Sequence, residues 1–176
     1  MTNRIYLPFL IFFLMTIKSW SSGIVQQQNT GSNFQFKEQK SISLITGFQT
    51  GSYSFVEIGL GFKNDMISSP HPSTTIFGIT NELKLNKDFV WGLKLGAWTG
   101  GGVGGTNIGL NLINYTDFKD NAIRFRPEIG MGFGSFRMIY GYNFPITNKD
   151  FNEVNSHLFG INILLDIKDV DQFKLF

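Results

Sequence analysis

Arg124, Arg126, Glu128 and Arg137 lie within one stretch, RFRPEIGMGFGSFRMIYGYNF (124–144), where they could line a polar pore, form a self-satisfied electrostatic plug or mark an active site. Glu57, Lys63, Glu82, Lys84 and Lys94 recur in similar settings earlier in the chain, each beside at least one large apolar neighbour. Hydrolytic chemistry needs a nucleophile, a base and an orienting acid within hydrogen-bond reach. The chain offers His71 between Pro70 and Pro72, and His157 beside Ser156 and near Glu153. Neither histidine has companions at metal-ligand spacing. The absence of cysteine excludes a disulfide framework, a thiolate metal site and a lipid-modified N-terminal cysteine. Thr99 to Gly105 (TGGGVGG) lacks the Lys-Ser/Thr ending and the preceding apolar strand of a phosphate-cradling loop, so it reads as a flexible turn. The residues therefore imply no catalytic set, no metal and no cofactor, and the charges read chiefly as structural.

The elements that carry these charges alternate with a period of two, which is the signature of β-strands. In the stretch at 124–144, Phe125, Ile129, Met131 and Phe133, then Phe136, Met138, Tyr140, Tyr142 and Phe144, oppose arginine, glutamate and glycine. The break at Gly134-Ser135 makes the two runs a hairpin. Similar runs span Ser41–Gln49, Tyr53–Lys63, Thr74–Leu85, Phe89–Trp98, Thr106–Thr116 and His157–Ile167. Eight strands of this length are near the 9–11 residues or so that a tilted strand needs to cross a bilayer. Pro127 falls in the apolar phase yet has no N–H to donate, which predicts a bulge or a strand end there.

Ahead of the strands, Met1 to Arg4 is polar and basic, Ile5 to Ile17 is nearly continuously apolar, and Lys18 to Ser22 ends in small residues. The run is shorter than the about 20 residues of a spanning helix, so a cleaved signal peptide at 1–22 is favoured over an anchoring helix. A polar, Gln-rich arm at 23–39, a barrel at 40–168 and a tail at 169–176 complete the chain. Losing Arg4 and Lys18 from 15 basic residues leaves 13, equal to the 13 acidic ones, which argues against nucleic acid as a partner. Charged residues are 16% of the chain, against about 25% in ordinary soluble domains. With 19 Phe and 20 Gly, the balance favours contact with lipid.

Alternation alone does not say which face is inside, because a soluble lipocalin-like barrel alternates too. Volume does. An eight-stranded interior is just wide enough for ordinary side chains, and the rings of Phe62, Phe77, Trp91, Phe125, Phe136, Tyr140 and Phe159 would overfill it. Turning the barrel inside out puts these rings against lipid and the glycines and charges in the lumen. Glu57, Lys63, Glu82, Lys84, Lys94, Arg124, Arg126, Glu128 and Arg137 all share the inward phase. A narrow lumen favours a plug over a conducting pore, with Glu128 paired to Arg124, Arg126 or Arg137. The expected fold is an all-β, eight-stranded antiparallel up-and-down transmembrane barrel.

Both termini then lie on one side. The other side carries three turns with a shared pattern, Asp88-Phe89, Asp117-Phe118 and Asp150-Phe151, read either as ordinary turn chemistry or as an outer-rim binding surface. Beyond these features, the chain resembles the small OmpA/OmpX-like outer-membrane β-barrel proteins. Arg126-Pro127-Glu128-Ile129-Gly130, Tyr140-Gly141-Tyr142-Asn143 and Thr147-Asn148-Lys149-Asp150-Phe151 look like barrels of Bacteroidota with no established activity. The resemblance covers roughly residues 40–168. It implies residence in the outer membrane of a Gram-negative bacterium, with outer-membrane lipids and the barrel insertion machinery as partners. The chain departs from that pattern at its end, where Asp169-Val170-Asp171 precedes the terminal Phe176. The function expected is a non-enzymatic structural, adhesion or binding role in the envelope. The alternatives are a lipid-modifying enzyme of the outer membrane and a soluble, exported binder of small ligands.

Overall fold

A computed structural model describes residues 37–67, 72–85, 88–101, 105–133 and 135–170. The signal peptide expected at 1–22, most of the arm and most of the tail lie outside the described residues, as does His71. The strands are β1 (Lys37–Thr50), β2 (Ser54–Ile67), β3 (Ser73–Lys84), β4 (Trp91–Gly101), β5 (Thr106–Thr116), β6 (Asn121–Phe133), β7 (Phe136–Tyr142), β8 (Phe144–Pro145) and β9 (His157–Asp169). Each pairs antiparallel with its neighbours, β9 closes onto β1, and β5–β6 pairing completes the ring. Segments β7 and β8 follow one another against β6, so the closed barrel has eight strand positions. No helix occurs among the described residues.

Pairing of β6 with β7 stops at Glu128↔Gly141 and resumes with β8 at Phe125↔Phe144. Pro127 sits in this gap, where a missing N–H costs no ladder bond. The register is the same on both sides, so the bulge or strand end predicted there is an interruption without a shift. The bulge of the barrel lies elsewhere, between β1 and β9 at Ile42/Ser43, and leaves Ile167 without a partner on β1.

Several strands outrun the apolar alternation that marks them in sequence. β1 begins at Lys37, where polar residues 37–39, expected in the arm, pair with Asp65, Met66 and Ile67. β4 continues through Thr99, Gly100 and Gly101, expected as turn, against Ser73, Thr74 and Thr75. Backbone ladders extend wherever two chains remain adjacent, whatever their side chains, so these ends leave no periodic trace.

The outward phase is apolar around the circumference. Hydrogen-bonded register places Leu165, Leu44, Leu60, Ile79, Leu95, Leu112, Phe125 and Phe144 side by side in one row that crosses all eight strand positions, the one shared by β7 and β8 through β8. All but the half-buried Leu44 stand open, with Leu60 54% and Ile79 57% exposed. Inside, polar and charged residues fill the middle between two apolar layers. Ile45, Ile76, Trp98 and Leu164 pack toward the end where β1 begins and β9 finishes, here the terminal end. Phe55, Val90, Ile113, Tyr115, Ala122, Phe151 and Val154 close the opposite, or loop, end.

Candidate functional site

The charged layer is organised around Arg126, which is fully buried. Its Nη1 and Nη2 donate to the two carboxylate oxygens of Glu82 at 2.7 and 2.9 Å, a bidentate pair from β6 to β3 across the lumen. Arg126 Nε donates to Asn143 Oδ1 at 2.8 Å and Nη1 also reaches Gln49 Oε1 at 3.2 Å. The Tyr115 hydroxyl bridges Arg126 and Glu82. Lys94 joins the cluster through Glu57 Oε1 at 2.6 Å and Glu82 Oε1 at 3.2 Å. Thr80 and Asn162 donate to the two oxygens of Glu57 at 2.7 and 3.0 Å.

Toward the terminal end, Trp98 Nε1 donates to Glu128 Oε2 at 2.7 Å. Arg137 stacks on the same indole, its guanidinium carbon 4.6 Å from a ring centroid. The indole lies flat on the wall because Gly96 and Gly109 leave the room: an added Cβ at either would collide with its ring atoms. The inward glycines flanking Trp98 are therefore a seat for one large ring as well as relief of crowding.

The six charges Glu57, Glu82, Glu128, Lys94, Arg126 and Arg137 thus gather in one layer, three acidic against three basic. Burial makes an unmatched charge expensive and a matched, hydrogen-bonded set tolerable. Of the pairings expected for Glu128, Arg126 at 3.7 Å and Arg137 at 4.0 Å lie within reach. Arg126 takes Glu82 as its principal partner. Arg124 stands apart from this layer and clamps the loop at 146–156: Nη1 donates to Thr147 O at 2.7 Å, and Nη2 to Asn148 O at 3.1 Å and Phe151 O at 2.9 Å. Lys84 also lies at the loop end, 3.5 Å from Glu153 and over the Tyr53 ring. Lys63 makes a third group at the terminal end with Asp166 at 2.6 Å and Asp65 at 2.9 Å.

Gln49, Tyr115, Trp98, Asn143, Asn162 and Asp166 complete these networks and were not singled out by residue chemistry. Their signal is phase alone. Gln49, Tyr115 and Asn162 sit in the same inward register as the charges, and Trp98 continues the phase of Gly92, Lys94 and Gly96.

At the loop end the three Asp-Phe turns diverge. Asp88, Phe89, Asp117, Phe118 and Asp150 are on the rim, and the Phe89 and Phe118 rings stack at 5.3 Å and 8°. Phe118 holds a left-handed φ of 70°, a conformation rare for such a residue. Its N–H donates to Thr116 Oγ1, while Asp117 Oδ1 accepts the N–H groups of Lys119 and Asp120 at 2.9 and 2.7 Å. Those two donors hold the Asp117 carboxyl below the usual carboxylate range. Phe151 does not join the rim surface expected of it. It is 8% exposed and packs into the loop-end apolar layer, because the loop after β8 is long enough to fold back over the lumen.

Asn155 fastens the same loop to Tyr53, accepting from its N–H at 2.7 Å and donating to its carbonyl at 2.8 Å. Replacing Phe151 with alanine removes the apolar anchor, a change that costs about 3–5 kcal/mol in a packed core. The expected result is trypsin cleavage after the exposed Lys149 accelerated at least about tenfold, since tenfold needs only about 1.4 kcal/mol. Unchanged cleavage kinetics would show that Arg124 and Asn155 alone hold the loop.

Ser156, His157 and Glu153 do not form a relay. His157 Nδ1 meets the Tyr140 hydroxyl at 2.6 Å and its ring packs edge-on to Tyr142, whereas Glu153 turns to Lys84. Among the described residues, no group of three or more His, Asp or Glu side chains is placed to hold a metal ion. Comparison with protein-family models, with curated proteins and with solved structures finds no match to this chain.

Proposed function

We propose that the chain is an integral outer-membrane β-barrel protein whose role is structural, adhesive or binding and does not include catalysis. The observation that carries this reading is the row of open apolar side chains from Leu165 to Phe144 running round a barrel with a charged interior. A water-soluble protein rarely exposes a contiguous apolar patch beyond a few hundred Å². In lipid the same row is the ordinary outer surface of a closed barrel, which leaves no unpaired backbone. The outward aromatics near the loop end, Trp91, Tyr140, Tyr142 and His157, suit the interfacial girdle of such a barrel. The sequence resemblance to OmpA/OmpX-like barrels supports the same location.

The filled lumen favours an anchor over a channel and leaves little room for the ligand of a lipocalin-like binder. Function then falls to the loop end, where the Phe89–Phe118 stack and the fastened loop form a rigid rim. With periplasmic termini, that rim faces outward. The test is membrane fractionation of the producing cells combined with electrophoresis before and after boiling. Extraction only by detergent, with a mobility shift on boiling, is expected. Recovery in the soluble fraction without a shift would overturn the membrane reading.

A further inference from the structure

We propose that the terminal end of the lumen is a binding site for an oxyanion, a phosphate or carboxylate group, held by Arg137 above Trp98. This goes beyond the envelope role and rests on the lumen alone. A cavity of about 90 Å³ opens there, lined by Thr74, Trp98, Gly101, Asn107, Gly132 and Arg137 among others. That volume holds a few waters or one small oxyanion. Among the described residues no carboxylate lines the cavity, and Arg137 is the one charged residue that does.

Arg137 is only 6% exposed, and its Nε and Nη1 have no hydrogen-bond partner among the described residues. Nη2 alone is engaged, donating to Asn162 Oδ1 at 2.9 Å. The nearest carboxylate, Glu128, stands at the 4.0 Å limit of an ion pair, and its Oε2 already accepts from Trp98. Asp65 and Asp166, also at this end, are outside the lining: Asp65 accepts from Lys63 and the Thr74 hydroxyl, and Asp166 from Lys63 and the Ser43 hydroxyl. A buried guanidinium with idle donors is unusual in a folded protein, where such groups nearly always find an acceptor. An oxyanion in the cavity supplies that acceptor, with charge-assisted hydrogen bonds of the strong kind. The buried Asn107 amide, on β5 two strands from Arg137, adds a neutral donor to the same lining. Gly100, Gly101, Gly105 and Gly132 complete the lining without side chains of their own, so the anionic group can belong to a larger molecule.

The probe is ¹⁹F NMR of the folded full chain labelled with 5-fluorotryptophan in zwitterionic detergent, titrated with sodium phosphate and, separately, sodium acetate at constant ionic strength. Trp98, identified by Trp98→Phe, is expected to shift saturably, while Trp91 on the outer face stays still. A third titration adds phosphatidylglycerol to the micelles, with phosphatidylcholine as the control. Response to the soluble salts identifies a free oxyanion, and response only to phosphatidylglycerol identifies a lipid headgroup; both support the site. Asn107→Asp places a carboxylate on the lining at almost no change in size. It should weaken binding at least about tenfold, a difference of about 1.4 kcal/mol. Arg137→Met should abolish binding, and if that variant does not fold the Asn107→Asp result decides. No saturable shift with any probe, or a shift that survives Asn107→Asp, would overturn the proposal.

Discussion

Arg126→Met is expected to destabilise the barrel by about 3–5 kcal/mol, the range for removing one partner of a buried ion pair. The arginine holds both oxygens of Glu82 and also donates to Gln49, Asn143 and the Tyr115 hydroxyl. Without it, Lys94 is left between Glu57 and Glu82, and three carboxylates face two cations in a buried layer. The loss should appear as a lower midpoint of urea unfolding with an unchanged slope, followed by tryptophan fluorescence. Adding Glu82→Leu in the same chain removes the stranded carboxylate, and Lys94 retains Glu57 at 2.6 Å. Replacing both members of a buried pair is often close to neutral, so the double variant should recover most of the single variant's loss. That recovery separates a charge-matching role from simple packing, which would make the second truncation additive. A single-variant cost below about 1 kcal/mol would mean that the plug is not held by this pair.

The pairing of Arg126 with Glu82 is the part of the interior that the residue pattern could not supply. The alternation in 124–144 is enough to send Arg124, Arg126 and Glu128 inward, and the same phase sends Glu57, Glu82 and Lys94 to meet them. Phase is local, set by Cβ atoms that alternate along a strand. Partnership across the lumen depends on closure and stagger of the whole barrel, which bring β6 opposite β3 over 44 residues of separation. Trp98 is hidden for the same reason. Its seat is built from Gly96 on its own strand and Gly109 on the next, and only the register shows that these stand together. Phe151 misleads because it shares a turn pattern with Phe89 and Phe118, and only the fold-back of the loop turns it inward. Strand ends are blurred at Lys37 and Gly101 because backbone pairing continues where apolar alternation stops.

Ile79→Arg should cost about 2–4 kcal/mol when the barrel is folded into lipid vesicles, the range for a cation on the lipid face at the midplane. Ile79 is the sharpest position for this measurement. It is 57% exposed, lies in mid-strand between Leu60 and Leu95 in register, and makes no polar contact that arginine would break. Were this face in water, the same change would fall within about 0.5 kcal/mol of neutral, as most exposed substitutions do. Leu85→Arg provides the depth control. Leu85 follows β3 at the loop end, is 58% exposed, and belongs to the same outward phase. Near an interface a long cationic side chain reaches the headgroups, so its cost should drop to about 0–1 kcal/mol. The gap between the two positions carries the argument, because exposure and residue type are nearly equal and only depth differs. Equal costs at both positions in vesicles would remove the lipid from around the barrel, and with it the reason for the apolar row.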